Sequence, residues 1–179
     1  MEAANRISAF VNELRAAVAQ HPSENALVER LKPLVQRQAA SPGWIRPEYY
    51  ECDEQHGFGI HVLHEESDQS LWVIAVAWLP HRGPPPHDHG TWAVIAGVDG
   101  EERNILWRRR DGAIERQGEE IVGPGQVTAF LSRAIHSVTN DSDRVTLSLH
   151  VYGKNVNYTE RSQFDPQTGV EQAFKVRVS

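Results

Sequence analysis

The chain has a single cysteine, Cys52, in 179 residues. One thiol excludes an internal disulfide framework and any cysteine-rich zinc site. Long apolar runs are missing too. No stretch reaches the length that spans a bilayer, and no basic segment followed by an apolar run opens the chain. These absences lead to the expectation of a soluble, cytoplasmic protein with no membrane partner. Positive charge is in deficit, with 18 Lys and Arg against 24 Asp and Glu and a net charge of −6. That argues against a nucleic-acid partner, because phosphate contacts need a basic face. The densest basic run, Arg108-Arg109-Arg110, is bordered by Asp111 and by Glu101-Glu102 and reads as a solvated hairpin end. There is no internal repeat at solenoid spacing and no low-complexity tract.

What is present suits a globular fold rich in turns: 40% hydrophobic residues, 13 Gly and 10 Pro. The length fits one domain with its own core. We expect a single domain over residues 1–179, with a helical lead-in (1–40) packed on a β-barrel and C-terminal wrap (44–179). In the lead-in, Ile7, Phe10, Val11, Leu14 and Val18 recur at helical spacing. Pro22-Ser23 ends that helix and can cap a second, which carries Leu27, Leu31, Leu34 and Val35. Pro33 inside the second stripe predicts a kink or break near Lys32.

After Ser41-Pro42-Gly43 the pattern changes. Residues 71–79 are almost wholly apolar, as in a strand covered on both faces. Short strand-like runs follow at 91–96, 103–109, 113–117, 127–130 and 145–152. Asp99-Gly100 and Asp111-Gly112 are hairpin-turn dipeptides, and Gly123-Pro124-Gly125 is a tight turn. Many short strands with regular turns indicate a sandwich or barrel. Residues 155–179 mix charge, Pro166 and Gly169, and are expected to wrap the outside.

The chemistry lies in the histidines. His87 and His89, two apart in an extended stretch after Gly83-Pro84-Pro85-Pro86, can aim two imidazoles at one point. Such a pair is either the start of a transition-metal site or two strand histidines hydrogen-bonded at a sheet edge. Asp88 points the other way and is no ligand. A third histidine, His136, follows the Pro124-Gly125 turn, with Asn140 four residues on. This two-part layout of Gly83, His87, His89, Gly97 or Gly100, Pro124-Gly125, His136 and Asn140 resembles the cupin superfamily. The resemblance implies a mainly β, double-stranded β-helix (jelly-roll) barrel. Cupins commonly place a glutamate ligand three or four residues past the second histidine, but Ala93 or Val94 stands there. Three neutral ligands leave the dipositive charge on the metal, which favours an anionic outside ligand such as a thiolate. A zinc hydrolase would accept the same set plus water.

In Ser148-Leu149-His150-Val151-Tyr152, a hydroxyl, an imidazole and a phenol share one strand face. That face either carries a hydrogen-bonded row or meets water. His-X-His, a later His, then Ser-X-His-X-Tyr is similar to the thiol dioxygenase family, which includes cysteine dioxygenase and bacterial 3-mercaptopropionate dioxygenase. The similarity covers residues 78–166. It implies an iron(II) centre held by His87, His89 and His136, with Ser148, His150 and Tyr152 as the catalytic outer row. The animal cysteine dioxygenases carry a cross-linked cysteine shortly after the second histidine; here Thr91, Trp92, Ala93 and Val94 stand there. Cys52 lies far upstream and reads as a buried, inert thiol. Those enzymes also hold the substrate carboxylate with an upstream arginine, where this chain has His61 and His64. The bacterial branch uses an arginine after the tyrosine, and Arg161 matches it. Arg161 reads otherwise as a surface residue paired with Glu160. His61 or His64 could line the substrate pocket, or either could be a solvent-facing strand residue.

The expectation is therefore an iron(II) enzyme whose partners are a small thiol and dioxygen, as a monomer or homodimer. It converts a thiol carboxylate, 3-mercaptopropionate before cysteine, to the sulfinate. The rival readings are a cupin isomerase or hydrolase with zinc, nickel or manganese, and a cupin that binds a metal or small molecule without catalysis.

Overall fold

The computed structural model describes residues 2–20, 23–41 and 43–175, with side chains from residue 5 onward. Pro22 and Pro42, named above as breakers, lie outside the described residues. Two helices come first, α1 (Glu2–Val18) and α2 (Glu24–Ala40). Phe10, Val11 and Leu14 on α1, and Leu27, Leu31 and Val35 on α2, are buried against one another and against a sheet. Each such side chain contributes about 1.5–3 kcal/mol by leaving water. Ser23 sits at the N-cap of α2, but its side chain makes no capping hydrogen bond. The break expected near Lys32 does not occur, and α2 runs through Pro33. Pro33 and Glu29 are both exposed. The Glu29 carbonyl that loses its intrahelical donor therefore meets water, and the buried stripe holds the helix together.

Ten strands follow: β1 (Phe58–Glu65), β2 (Trp72–Trp78), β3 (Ala93–Asp99), β4 (Glu102–Arg110), β5 (Ala113–Val122), β6 (Val127–Phe130), β7 (Ile135–Thr139), β8 (Thr146–Tyr152), β9 (Ser162–Phe164) and β10 (Glu171–Ala173). One sheet has the order β1-β2-β8-β3-β6, a second β5-β4-β7, and β9 pairs with β10. All the pairings between these strands are antiparallel. The result is the mainly β jelly-roll barrel with N-terminal helices that the sequence leads one to expect. The Asp111-Gly112 turn joins β4 to β5 with φ of 49° and 83°, the two positive values that a tight two-residue hairpin needs. At Gly83 and Gly97 a Cβ would lie 2.0 Å from the Val138 carbonyl and 2.2 Å from the Gly123 carbonyl. Only glycine allows such an approach.

The five-stranded sheet is buried on both sides. α2 lies across β3, β6 and β8, and α1 packs on α2 and β1. Val73, Ala75, Ala77, Leu147, Leu149 and Val151 face the helices. Trp72, Ile74, Val76, Trp78, Ile95 and Tyr152 face the barrel interior, with Phe130 and Val138. This accounts for the unbroken apolar run of β2. Residues 161–174 do not simply wrap the outside as expected. Phe164 N–H donates to the Pro86 carbonyl, His87 bridges Gln163, and Phe174 packs edge-on against His87 at 5.2 Å. Arg161 and Phe174 of this segment reach the cavity beside His87, while Phe164 packs with Ile114, Ile135 and Trp107. Among the described residues no helix is long and apolar enough to cross a membrane.

Candidate metal centre

His87 and His89 lie in no named strand, so the strand geometry expected for them is replaced by a clamp. His87 exchanges both backbone hydrogen bonds with His136 of β7, at 2.8 and 3.0 Å. Asp88 N–H donates to the Ser162 carbonyl, and Asp88 Oδ1 accepts from Ser162 N–H. The His89 carbonyl accepts from Thr159 Oγ1 at 2.7 Å. Held between β7 and β9, the segment turns His87 and His89 inward and leaves Asp88 outside the cluster. One nitrogen each of His87, His89 and His136 lies within 4.8 Å of the others, and all three residues are buried.

The three rings fit a metal ion. His87 Nδ1–H donates to the Pro85 carbonyl at 2.8 Å, and His136 Nδ1–H donates to Asn104 Oδ1 at 2.7 Å. Each bond fixes the tautomer and leaves Nε2 as a lone pair for the centre. His136 Nε2 and His89 Nε2 are 3.1 Å apart. Two nitrogens bound at about 2.0–2.1 Å to one cation would be about 3.0–3.4 Å apart. His89 Nδ1 has no hydrogen-bond partner. Burial lowers all three basicities, His87 to about 3 and His89 and His136 well below the usual range. Neutral imidazoles are the form that binds metals. Ala93 and Val94, where a cupin glutamate would stand, are buried and apolar.

The outer row does not face water. Ser148, His150 and Tyr152 of β8 are buried in the interior and linked end to end. Ser148 Oγ is 2.8 Å from His150 Nε2, and His150 Nδ1 is 2.9 Å from the Tyr152 hydroxyl. Trp78 Nε1–H donates to Ser148 Oγ, whose own hydroxyl donates to Glu102 Oε2 at 2.7 Å. Glu102 Oε2 is also 3.2 Å from His150 Nε2. A carboxylate only accepts, so donor counting puts the His150 proton on Nε2. His150 Nδ1 then accepts from the Tyr152 hydroxyl. Burial, with the Glu102 charge, raises the Tyr152 phenol well above its ordinary value and keeps it protonated.

Glu102 is the residue the sequence reading missed. Taken with Glu101 as a solvated end, it is 1% exposed at the start of β4. Burial works against its charge, but His150, Ser148 and Asn104 outweigh that and hold its carboxyl below the usual range. The available signal was the spacing of Glu102 and Asn104, two apart on one strand face. Arg108, Arg109 and Arg110 are exposed, as read. Asn140 serves the fold, donating to the Trp78 and Arg144 carbonyls.

Arg161 is buried, 6% exposed, rather than paired with Glu160. Its Nε donates to the Phe174 carbonyl, its guanidinium carbon lies 4.4 Å over the Phe174 ring, and Nη2 has no partner. Burial lowers its pKa to about 10. A cavity of about 50 Å³ is lined by His87, His89, His150, Tyr152, Arg161, Phe174 and apolar side chains of β1 and β2. His61 and His64 do not reach it, contrary to the expectation for them. His61 contacts the Glu51 carbonyl and the Tyr49 ring, and His64 lines a cleft with Arg15 and Trp44 beside Glu66. The physical reason is the pleat: Phe58 and Ile60 point inward, which sends His61 outward, and a bulge between Val62 and His64 keeps His64 on the helix side. Cys52 is only partly buried, and burial raises its thiol pKa.

No family model matches the sequence. Among solved structures, an oxalate oxidase in complex with the substrate analogue glycolate is 12% identical with a TM-score of 0.48, the match covering 62% of this chain and 59% of that one. The protein TT1209 from Thermus thermophilus is 17% identical with a TM-score of 0.48, covering 62% of this chain and 95% of that one. A cupin superfamily protein from Desulfitobacterium hafniense is 11% identical with a TM-score of 0.44, covering 57% and 81%. The chain matches about three fifths of the oxalate oxidase length. Likeness at this level says nothing of what this chain binds or does. What the structure establishes is a jelly-roll barrel with a buried three-histidine cluster able to hold a metal ion.

Proposed function

We propose that this chain is a non-haem iron(II) thiol dioxygenase. It adds both atoms of dioxygen to the sulfur of a small thiol carboxylate, R–S⁻ + O2 → R–SO2⁻, with 3-mercaptopropionate the favoured substrate. The observation that carries this reading is the Ser148-His150-Tyr152 row, which opens on the same cavity as His87 and His89. A metal store has no use for a buried hydroxyl-imidazole-phenol relay at its mouth. Iron(II) held by His87, His89 and His136 would supply the redox chemistry that lets dioxygen react with a thiolate.

The chain's own residues do the rest. Arg161 Nη2, buried and unpaired, offers a donor for a carboxylate, and the planar guanidinium can grip both oxygens. The thiol proton passes to the Tyr152 oxygen as the Tyr152 proton moves to His150 Nδ1. The imidazolium so formed faces Glu102, which stabilises it. Phe174, Trp72 and Ile74 line the cavity and limit water. The small cavity favours a ligand of few heavy atoms. Its lining includes Arg161 but no carboxylate that would partner an ammonium group. That supports a thiol acid without an amine over cysteine.

The test is oxygen uptake by the iron-loaded protein with 3-mercaptopropionate, cysteine and mercaptosuccinate, with the sulfinate measured as product. One sulfinate per dioxygen, fastest with 3-mercaptopropionate, is the expected result. No uptake with any of the thiols despite bound iron, or oxygen-independent turnover with bound zinc, overturns the reading.

A further inference from the structure

Glu102 is a buried carboxylate that touches both halves of the site, beyond facing the His150 imidazolium in the proposed chemistry. Its Oε1 accepts from Asn104 Nδ2 at 3.0 Å, and Asn104 Oδ1 accepts from His136 Nδ1–H at 2.7 Å. Its Oε2 accepts from Ser148 and faces His150. We propose that Glu102 is a positioning residue that ties the ligand His136 to the Ser148-His150-Tyr152 row, one oxygen serving each arm. The proposal rests on reading the histidine cluster as a metal site, and it is independent of which reaction runs there.

The two arms are separable by chemistry. Along the first, the Oε1 lone pair orients the Asn104 amide, so its oxygen, not its NH2, meets His136. That holds the His136 proton on Nδ1 and leaves Nε2 for the metal. Partners of this kind behind a ligand histidine are worth about 10–100-fold in metal affinity. Along the second arm, Oε2 takes the Ser148 proton and obliges His150 to carry its proton on Nε2. His150 Nδ1 is then an acceptor for Tyr152. Glu102 and Asn104 are nearly inaccessible, so no water replaces either bond.

Glu102→Gln keeps the shape and splits the arms. Its amide oxygen stays on Asn104, and its NH2 then faces Ser148 and His150, where a carboxylate accepted before. Ser148 must now accept from the amide and donate to His150 Nε2, so the His150 proton moves to Nδ1 and donates to Tyr152. The tautomer of His150 in zinc-loaded protein is read by long-range proton–nitrogen-15 NMR, and metal affinity by optical titration with cobalt(II). We expect Glu102→Gln to switch His150 from the Nε2–H to the Nδ1–H form, with a smaller change in cobalt affinity than Asn104→Ala. Asn104→Ala should lower cobalt affinity about 10–100-fold and leave the His150 tautomer as in the parent. Asn104→Val, equally without an acceptor and better suited to a strand, replaces it if the alanine variant does not fold. An unchanged His150 tautomer in Glu102→Gln, or cobalt affinity unmoved by loss of the Asn104 amide, overturns the proposal. Neither measurement uses a thiol or dioxygen. A chain that shows both effects but consumes no oxygen keeps this inference and loses the dioxygenase reading.

Discussion

β8 is buried on both faces, and the two faces meet that burial in opposite ways. Leu147, Leu149 and Val151 pack against the helices with no polar group to satisfy. Ser148, His150 and Tyr152, which alternate with them, are also buried but hold a hydroxyl, an imidazole and a phenol. On the first face, stability comes from area removed from water and is spread over many side chains. On the second, each polar group depends on a few specific partners: Trp78, Glu102 and His150 for Ser148, and Ser148, Glu102 and Tyr152 for His150. A buried group that loses its partner costs about 1–3 kcal/mol, more if charged. The apolar face therefore degrades gradually with substitution, whereas the polar face fails at single atoms.

The comparison is sharpened most by Tyr152→Phe, which removes one oxygen from the polar face. Turnover should fall about 10²–10⁴-fold, the usual worth of a positioned proton-transfer group, with iron content close to parent. Loss of iron along with activity would place Tyr152 in metal retention instead. On the apolar face, Leu149→Ala should cost about 2–5 kcal/mol in denaturant unfolding and leave turnover per folded, iron-loaded molecule unchanged. A large drop in specific activity from that variant would break the division between the faces. Arg161→Lys should raise KM for 3-mercaptopropionate roughly tenfold with a smaller change in kcat, since an ammonium cannot form the paired contact. A KM unmoved by that change would remove Arg161 from substrate binding.

A separate effect is expected from pH. In metal-free protein, His87, His89 and His136 are held neutral by burial, His87 down to about 3. Below the unfolded histidine pKa the unfolded chain binds more protons than the folded one, so stability falls as pH drops. For His87 that window runs from 6.5 to about 3. Each histidine contributes up to about 1.4 kcal/mol per pH unit there. Denaturant midpoints across pH 4–7 check it; a flat profile would mean that the rings bind protons as readily in the fold as in the unfolded chain.

Much of this was legible in the chain. The helix stripes, the doubly covered β2 and the Asp111-Gly112 hairpin follow from local periodicity and turn chemistry, which act over a few residues. Arg161 and the Ser148-His150-Tyr152 spacing were visible as candidates. The Pro33 break was misread because the solvent exposure that makes a lost helix bond tolerable is not a local property. His61 and His64 were misread because one pleat and one bulge decide which face of β1 meets the cavity.

The sequence alone determined which chemical groups are available: three separated histidines, an alternating Ser-His-Tyr strand, no second thiol and no carboxylate at Ala93 or Val94. Only the tertiary structure decided which of them meet. Antiparallel pairing set His87 opposite His136, far along the chain, and β4 carried Glu102 and Asn104 in between the ligands and the row. The reason is that burial and hydrogen-bond partners are properties of paired strands. The same Glu102 on an open hairpin end would be one more solvated acid; enclosed by Asn104, Ser148 and His150, it becomes the joint between the two halves of the site.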